Sequence, residues 1–170
     1  MAFSEEFEVA KHVISCLNST PIAVLSTMSK DGVWGTPVYF THDDKFNFYI
    51  LSSSRSRHVR DIKSNKKVSL VIVMPLEASG GLQVGIQLAG DASLVPDKEI
   101  GNLYSARTTK IVGDNIDYFD PSGAQMIKNE GGLFIKIEPK IIMYLDRRYH
   151  GSDSKKVAIK TLVRLNKFII

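Results

Sequence analysis

The chain has 170 residues, of which 44% are hydrophobic and 24% are charged, and its formal net charge is +4. This composition is ordinary for one globular domain and excludes a disordered chain. No apolar run approaches the roughly 18 residues of a membrane-spanning helix, so we expect a cytoplasmic protein without membrane contacts. The single cysteine, Cys16, excludes an internal disulfide, and four scattered histidines predict no metal site.

The first half of the chain alternates between helical and extended patterns. Residues 4–18 carry apolar side chains at helical spacing, which predicts an amphipathic N-terminal helix. Three β-rich runs follow between residues 22 and 51, and the short turns between them predict an antiparallel meander. A short basic helix over residues 54–65 and the apolar strand "KVSLVIVM" come next.

The second half predicts two long strands around a helix. In "GLQVGIQLAGDASLV", Gly85 and Gly90 indicate a bulge, a bend or close backbone approach. A helix follows Pro96, and "GGLFIKIEPKIIMYLD" is a strand interrupted at Pro139. The tail, about residues 150–170, has no clean period and is assigned to no element. The pattern favours one α+β domain over residues 1–170, built on a closed or nearly closed antiparallel barrel at about residues 20–146.

The stretch "SSSRSRHVRDI" concentrates hydroxyls and positive charge where a strand ends and a helix begins. From Arg55 to Lys67 there are seven basic residues, counting His58, and one acid, Asp61. A helix N-terminus with such side chains favours an anion, because its N–H groups are unpaired. A solvated basic helix with a serine cap explains the pattern equally well. Without interleaved aromatic residues, we do not expect nucleic-acid binding.

A resemblance to a known family is carried by several short motifs in a fixed order. They are Ala23 to Thr27, Asp31-Gly32, Gly35-Thr36-Pro37, Ser52, Ser56-Arg57-His58, and Asn65 with Val68-Ser69-Leu70. In this order and spacing the chain resembles the pyridoxamine 5′-phosphate oxidase-like proteins, the FMN-binding split-barrel superfamily, over roughly residues 20 to 146. "GIQLAGDASLV" and "LFIKIEPKIIMYLD" resemble later strands of the family. The resemblance implies a six-stranded antiparallel split β-barrel with flanking helices, typically a homodimer with FMN at its interface.

Position by position, the resemblance implies the cofactor contacts. Leu51 and Ser52 would lie along the ribityl chain, and Arg57 and His58 would bind the FMN phosphate. Gln87, or Gln83 earlier on the same face, would reach the cofactor from the second subunit. The flavin ring would be lined through strand backbone by Thr36, Pro37, Val38 and Tyr39.

The chain departs from the family pattern at several positions. His58 stands where Lys is usual, which weakens the phosphate contact if the imidazole is neutral. Thr36 and Thr41 stand where the vitamin B6 oxidases carry Arg and Lys. The substrate-gripping R-L-H-x-R segment is absent, "RLNKF" at 164–168 lacks its histidine, and Arg107 falls only near a substrate-binding arginine. We therefore do not expect vitamin B6 phosphate as the substrate.

The resemblance leads to a prediction of function with two alternatives. We predict an FMN-dependent oxidoreductase acting on an unidentified small substrate, with no catalytic residue identified. The alternatives are a non-enzymatic flavin-binding or stress-response protein, and a relative that binds a deazaflavin or haem in the same groove. For haem, His150 is the candidate axial ligand, although a lone loop histidine is more often solvent-facing. Of Trp34, Tyr39 and Tyr104, we expect at least two to be core residues rather than stacking partners.

Overall fold

The computed structural model describes residues 5–95, five residues between 100 and 106, and residues 132–169, with side chains to residue 166. Helix α1 (Glu5–Ser19) occupies the stretch with helical apolar spacing and buries that side, including Cys16. Helix α2 is Arg57–Ser64, and α3 is Ile159–Ile169. The five residues between 100 and 106 are helical, within the helix predicted after Pro96. None of the described helices is long and apolar enough to cross a membrane.

The described strands form one antiparallel sheet. They are β1 (Ile22–Ser29), β2 (Gly32–Tyr39), β3 (Thr41–His42), β4 (Phe48–Ser53), β5 (Lys67–Val73), β6 (Val84–Val95), β7 (Gly132–Asp146) and β8 (Ser154–Val157). Seven follow the order β2-β1-β5-β6-β7-β4-β3, and β8 pairs with β7. The curled sheet with flanking helices confirms the α+β split barrel. The described sheet exceeds the predicted six strands, because β3 and the tail strand β8 were not separately predicted.

The predicted three-strand meander is wrong. β1 and β2 pair along their whole length, from Ile22 opposite Tyr39 to Ser29 opposite Gly32, but β4 pairs with β3 and β7. The turn after β3 is closed by Asp43, whose carboxylate accepts the backbone N–H groups of Lys45 and Asn47. This turn joins β3 and β4 in a hairpin. Because β4 pairs with β3 and β7, β2 pairs with β1 alone and forms an edge of the sheet. β2 and β4 nevertheless approach each other because the sheet curls.

Glycine and proline mark the irregular point of β6 and β7. The register shifts between Ala89 and Gly90, and a Cβ built on Gly90 would lie 2.3 Å from the Glu138 carbonyl oxygen. The prediction of a bulge with close backbone approach is therefore confirmed at Gly90. Pro139 does not end β7. It pairs with Gly90 at the bulge, where Lys140 is the extra residue, and the strand continues to Asp146.

The core lies inside the curl of the sheet, beneath α1. Alternate residues of β1, β5 and β6 point inward, such as Leu25, Leu70 and Ile86, all fully buried. The tail adds β8 to the edge of β7, and α3 packs against α1. On the opposite face, Tyr104 of the described helical residues packs against Phe134, but several other apolar side chains of that face are exposed.

Candidate functional site

Two serines and a histidine meet where β4 ends and α2 begins. Ser52 Oγ lies 2.6 Å from His58 Nε2 and 2.9 Å from Ser56 Oγ, and Ser56 Oγ lies 3.1 Å from the same imidazole nitrogen. Ser56 is the N-cap of α2, but its side chain makes no capping hydrogen bond; it donates to the Ser53 carbonyl instead. The first N–H groups of α2 therefore stay available to an anion beside this cluster.

Burial keeps the imidazole of His58 on the neutral side. Desolvation lowers the pKa of His58 below the ordinary histidine value, and the nearby Asp61 carboxylate opposes this only in part. A neutral imidazole has one N–H donor and one acceptor nitrogen, so it can hydrogen-bond to the serine hydroxyls. After protonation both nitrogens donate, and the ring can donate to an anionic oxygen. The cluster is thus a set of short donors with one titratable member.

Arg57 points from the first turn of α2 toward the β1–β2 hairpin. Its guanidinium carbon lies 4.5 Å from the centroid of the Trp34 ring, and its Nη2 donates to the Asp31 carbonyl at 3.2 Å. Its Nε lies 3.8 Å from Asp61 Oδ2. The structure therefore places Arg57 next to the serine and histidine cluster in the chain, with its guanidinium over β2.

Asp61 is a site residue that the sequence analysis did not select. Its carboxylate is buried, and Oδ2 accepts a hydrogen bond from Thr27 Oγ1 of β1 at 2.8 Å. Arg57, one helical turn earlier on α2, faces the same oxygen. The available signal was its position as the only acid between Arg55 and Lys67.

The predicted ring-lining residues all lie on β2, which is an edge of the sheet. Pro37 is exposed, and Thr36, Val38 and Tyr39 are half-buried. An edge strand tolerates proline, which has no N–H to donate, and it leaves backbone groups unpaired toward solvent. Leu51 is half-buried on β4 next to Ser52, and it lies opposite Phe134 of β7.

The two glutamines lie far from the serine cluster within one chain. Gln87 is exposed on β6 opposite Met143, whereas Ser52 lies opposite Leu133 near the start of β7. The two β7 positions are ten residues apart, roughly 33 Å along an extended strand. Gln83, just before β6, is exposed as well. The structure therefore does not bring these glutamines together with Ser52 in a single chain.

The expectation that at least two of the three aromatic residues are core residues is wrong. Tyr104 is a core residue with its ring edge against Phe134, but Trp34 is 42% exposed and Tyr39 is half-buried. β2 is the sheet edge, so its side chains have a neighbour on one side only. Fewer than two of the three are buried, and the exposed indole carries the Arg57 guanidinium.

The departures from the vitamin B6 oxidase pattern are visible in the fold. Thr41 is fully buried in β3, so it does not line a solvent-facing groove. In the "RLNKF" segment, Arg164 of α3 lies over the Phe7 ring and Asn166 donates to Asp44. Arg164 and Asn166 therefore contact α1 and the β3–β4 turn. Arg107 lies outside the described residues.

The comparisons with known proteins agree with this architecture. Residues 9–145 match the family model described as pyridoxamine 5′-phosphate oxidase. The chloroplastic non-canonical heme oxygenase HOZ of Arabidopsis thaliana is 30% identical over 141 residues, which cover 79% of this chain and 39% of that protein. The chain thus spans well under half the length of this plant relative.

Solved structures share the fold at low identity. A heme binding protein from Mycobacterium smegmatis superposes with a TM-score of 0.67 at 15% identity, covering 96% of this chain and 62% of the other. General Stress Protein 26 from Bacillus anthracis superposes with a TM-score of 0.62 at 20% identity, covering 88% and 99%. Together with the sequence match over residues 9–145, the chain belongs to the pyridoxamine 5′-phosphate oxidase-like family of split-barrel proteins.

Proposed function

We propose that this chain binds FMN at the interface of a homodimer and acts as a flavin-dependent oxidoreductase on a small substrate. The observation that carries the proposal is the cluster of Ser52, Ser56 and His58 at the N-terminus of α2. The same helix contacts the edge strand β2 through Arg57 and Trp34. Short polar donors next to an exposed apolar strand match the two halves of FMN, a phosphate and a planar ring.

The phosphate would be held by the serine hydroxyls, the α2 N–H groups and the imidazole. Each hydrogen bond to a charged oxygen contributes about 1.5–3 kcal/mol, so several of them separate FMN from riboflavin, which lacks the phosphate. Arg57 supplies a permanent positive charge one residue from the N-cap. His58 supplies a charge only when protonated, and its lowered pKa makes that contribution dependent on pH.

The second subunit would cover the outer face of the sheet. Val24, Met28 and Ile141 are exposed there, as are Val33 at 72% and Val73 at 57%. An apolar sheet face of this kind marks an interaction site in a folded protein. A second copy on this face would bury it and would bring its own Gln83 or Gln87 toward the bound cofactor.

The chemistry would come from the flavin, which supplies hydride and electron transfer when bound. The chain's own residues would hold its phosphate, orient its ring along β2 and keep one face open. Thr36 of β2 and the buried Thr41 offer no positive charge to a substrate phosphate. We therefore propose a substrate other than vitamin B6 phosphate.

The test is a titration of the purified protein with FMN and riboflavin, followed by flavin fluorescence. We expect FMN to bind at least about 30-fold more tightly than riboflavin, because the phosphate adds charge-assisted hydrogen bonds. Ser52→Ala should lower FMN affinity and leave riboflavin affinity unchanged. Ser93→Ala, an exposed serine on β6, is the matched control. Equal affinities for the two flavins in the wild type would contradict the proposal.

Haem in the same groove is the second candidate function. It is favoured by the 30% identical relative, whose name describes a heme oxygenase, and by the heme binding protein with the same fold. His150 is the candidate axial ligand: its Nε2 is buried and has no hydrogen-bond partner among the residues that the structure describes. It follows the far end of β7 from Ser52, so it would have to serve a partner subunit's groove.

Absorbance spectra separate the two candidates. Haemin should produce a sharp Soret band that His150→Ala removes if the second candidate is right. If the protein binds haemin and neither FMN nor a deazaflavin shifts its melting temperature, the first candidate is wrong and the second is retained. A flavin spectrum of the protein as purified, with no response to haemin, would retain the first.

A further inference from the structure

The buried carboxylate of Asp61 connects the helix of the phosphate site to the hairpin that lines the predicted ring site. Thr27 on β1 donates to Asp61 Oδ2 at 2.8 Å, and the Nε of Arg57 faces the same oxygen at 3.8 Å. The other end of the Arg57 guanidinium donates to the Asp31 carbonyl in the β1–β2 turn. Three contacts thus surround this arginine: the Asp61 carboxylate, the Asp31 carbonyl and the face of the Trp34 indole.

We propose that Asp61 is a positioning residue of this site, which holds Arg57 in place between α2 and β2 so that the guanidinium is preorganised for an anionic cofactor. The proposal deepens the proposed function and rests on it. Thr27 fixes the carboxylate, the carboxylate fixes the Nε edge of Arg57, and Trp34 supports its flat face.

Preorganisation matters because a free arginine loses much rotational freedom when it binds. Both long basic side chains carry roughly 2 kcal/mol of rotamer entropy, and contacts made before binding remove part of that cost. In the described contacts, one of the five N–H groups of Arg57 donates a hydrogen bond, to Asp31. Other N–H groups therefore remain for phosphate oxygens.

Removing the charge of Asp61 tests the proposal, because repulsion and positioning predict opposite changes in FMN affinity. A carboxylate near a bound phosphate repels it, so removing the charge alone would tighten FMN binding. If Asp61 acts by holding Arg57, removing the charge weakens FMN binding despite the lost repulsion. Asp61→Asn keeps an oxygen that accepts the Thr27 hydroxyl and removes only the charge.

The experiment measures FMN and riboflavin affinities of Asp61→Asn and Thr27→Val beside the wild type. We expect FMN affinity to fall about tenfold in Asp61→Asn and about threefold in Thr27→Val. In both variants Arg57 is held less firmly, so part of its ordering occurs only when FMN binds. Riboflavin affinity should stay within about twofold in both, which shows that the ring site is intact. Lys63→Gln removes a charge from the exposed face of α2 and is the control.

The outcomes separate this inference from the proposed function. Unchanged or tighter FMN binding in Asp61→Asn, with the wild type still preferring FMN over riboflavin, would overturn the positioning role alone. A wild type that does not distinguish FMN from riboflavin would overturn the phosphate site and this inference together. Should Asp61→Asn lose riboflavin as well, Thr27→Val decides: an unchanged FMN affinity in that variant contradicts the proposal.

Discussion

Ser52 Oγ and His58 Nε2 lie 2.6 Å apart and connect the end of strand β4 to the first turn of helix α2. The contact places a titratable ring among hydroxyls at a helix N-terminus, where the family usually has a lysine. Because burial lowers the pKa of His58, the ring is neutral at neutral pH in the free protein. A phosphate dianion beside it would favour the protonated ring and raise the pKa again.

This relationship predicts proton uptake on FMN binding. The pKa of His58 is lower in the free protein than in the complex, so affinity rises as pH falls through the pKa of the complex and levels off below the pKa of the free protein. His58→Gln cannot take up the proton. The ratio of wild-type to His58→Gln affinity should therefore increase between pH 8 and pH 5.

The measurement is isothermal titration of both proteins at several pH values. Free FMN titrates its own phosphate in this range, but the free cofactor is common to the two proteins and its titration cancels in the ratio, which leaves the coupled titration of His58 and the bound phosphate. A ratio that stays constant from pH 8 to pH 5 would remove His58 from the phosphate site. The same result would leave Ser52, Ser56 and Arg57 as the remaining side chains proposed for that site.

Local patterns predicted the part of the site that is contiguous in sequence. Ser52, Ser56 and His58 are close because a strand end, a turn and a helix start follow within seven residues, and each leaves a sequence signal. The Thr27–Asp61 hydrogen bond joins residues 34 positions apart, and no period or spacing marks such a pair. Asp61 was therefore visible only as an isolated acid.

The same limit explains the error in the fold. The third β-rich run, which ends at residue 51, predicted a strand, but such a pattern carries no information about which strand lies beside it. β4 pairs with β7, which starts about 80 residues later, and the meander prediction assumed the nearest neighbour instead. The proline in β7 was misread for a related reason, since its tolerance depends on Gly90 of the neighbouring strand.

The outer face of the sheet predicts a dimer that a single charge can disrupt. Val24 is 42% exposed on that face, one strand from the sheet edge, with Pro37 on one side and Val71 on the other. Val24→Lys places an ammonium group where a second copy would exclude water, and we expect at least tenfold weaker dimerisation, since burying an unpaired charge costs several kcal/mol.

Sedimentation velocity at a few concentrations checks this prediction. Ser15→Lys introduces the same charge on the exposed side of α1, away from the outer face, and should remain dimeric. FMN affinity of Val24→Lys should fall together with dimerisation, because the proposed site needs both subunits. A wild-type protein that sediments as a monomer would contradict the interface, and a Val24→Lys dimer would place it elsewhere.

The buried carboxylate of Asp146 predicts a stability effect far from the candidate site. Arg148 donates to both of its oxygens, at 2.9 and 2.6 Å, and Tyr144 donates to Oδ2 at 2.6 Å. Arg148→Gln leaves that carboxylate buried without a cation, which costs about 3 kcal/mol and lowers Tm by about 9 °C. Arg147→Gln, the exposed neighbour, is the control and should change Tm little.

The pH dependence of that effect has a definite sign. Burial works to raise the pKa of Asp146, but the hydrogen bonds from Arg148 and Tyr144 outweigh it and lower the pKa to about 2. The ion pair therefore stabilises the fold above the ordinary aspartate pKa, and this contribution is lost as pH falls toward 2. The Tm difference between wild type and Arg148→Gln should narrow from pH 7 to pH 3, and a constant difference would assign the loss to packing.

The hydroxyl of Thr41 predicts a stabilising substitution. Thr41 is fully buried in β3, and its Oγ1 has no hydrogen-bond partner among the residues that the structure describes. Valine has nearly the same shape without the hydroxyl, so Thr41→Val should raise the free energy of unfolding by about 1 kcal/mol and Tm by about 3 °C. Thr27→Val is the opposite case, because its hydroxyl is bonded to Asp61, and it should lose about 1 kcal/mol. Thermal unfolding of the two variants, followed by circular dichroism, should therefore give shifts of opposite sign, and a lower Tm for Thr41→Val would show that its hydroxyl is satisfied in the folded protein.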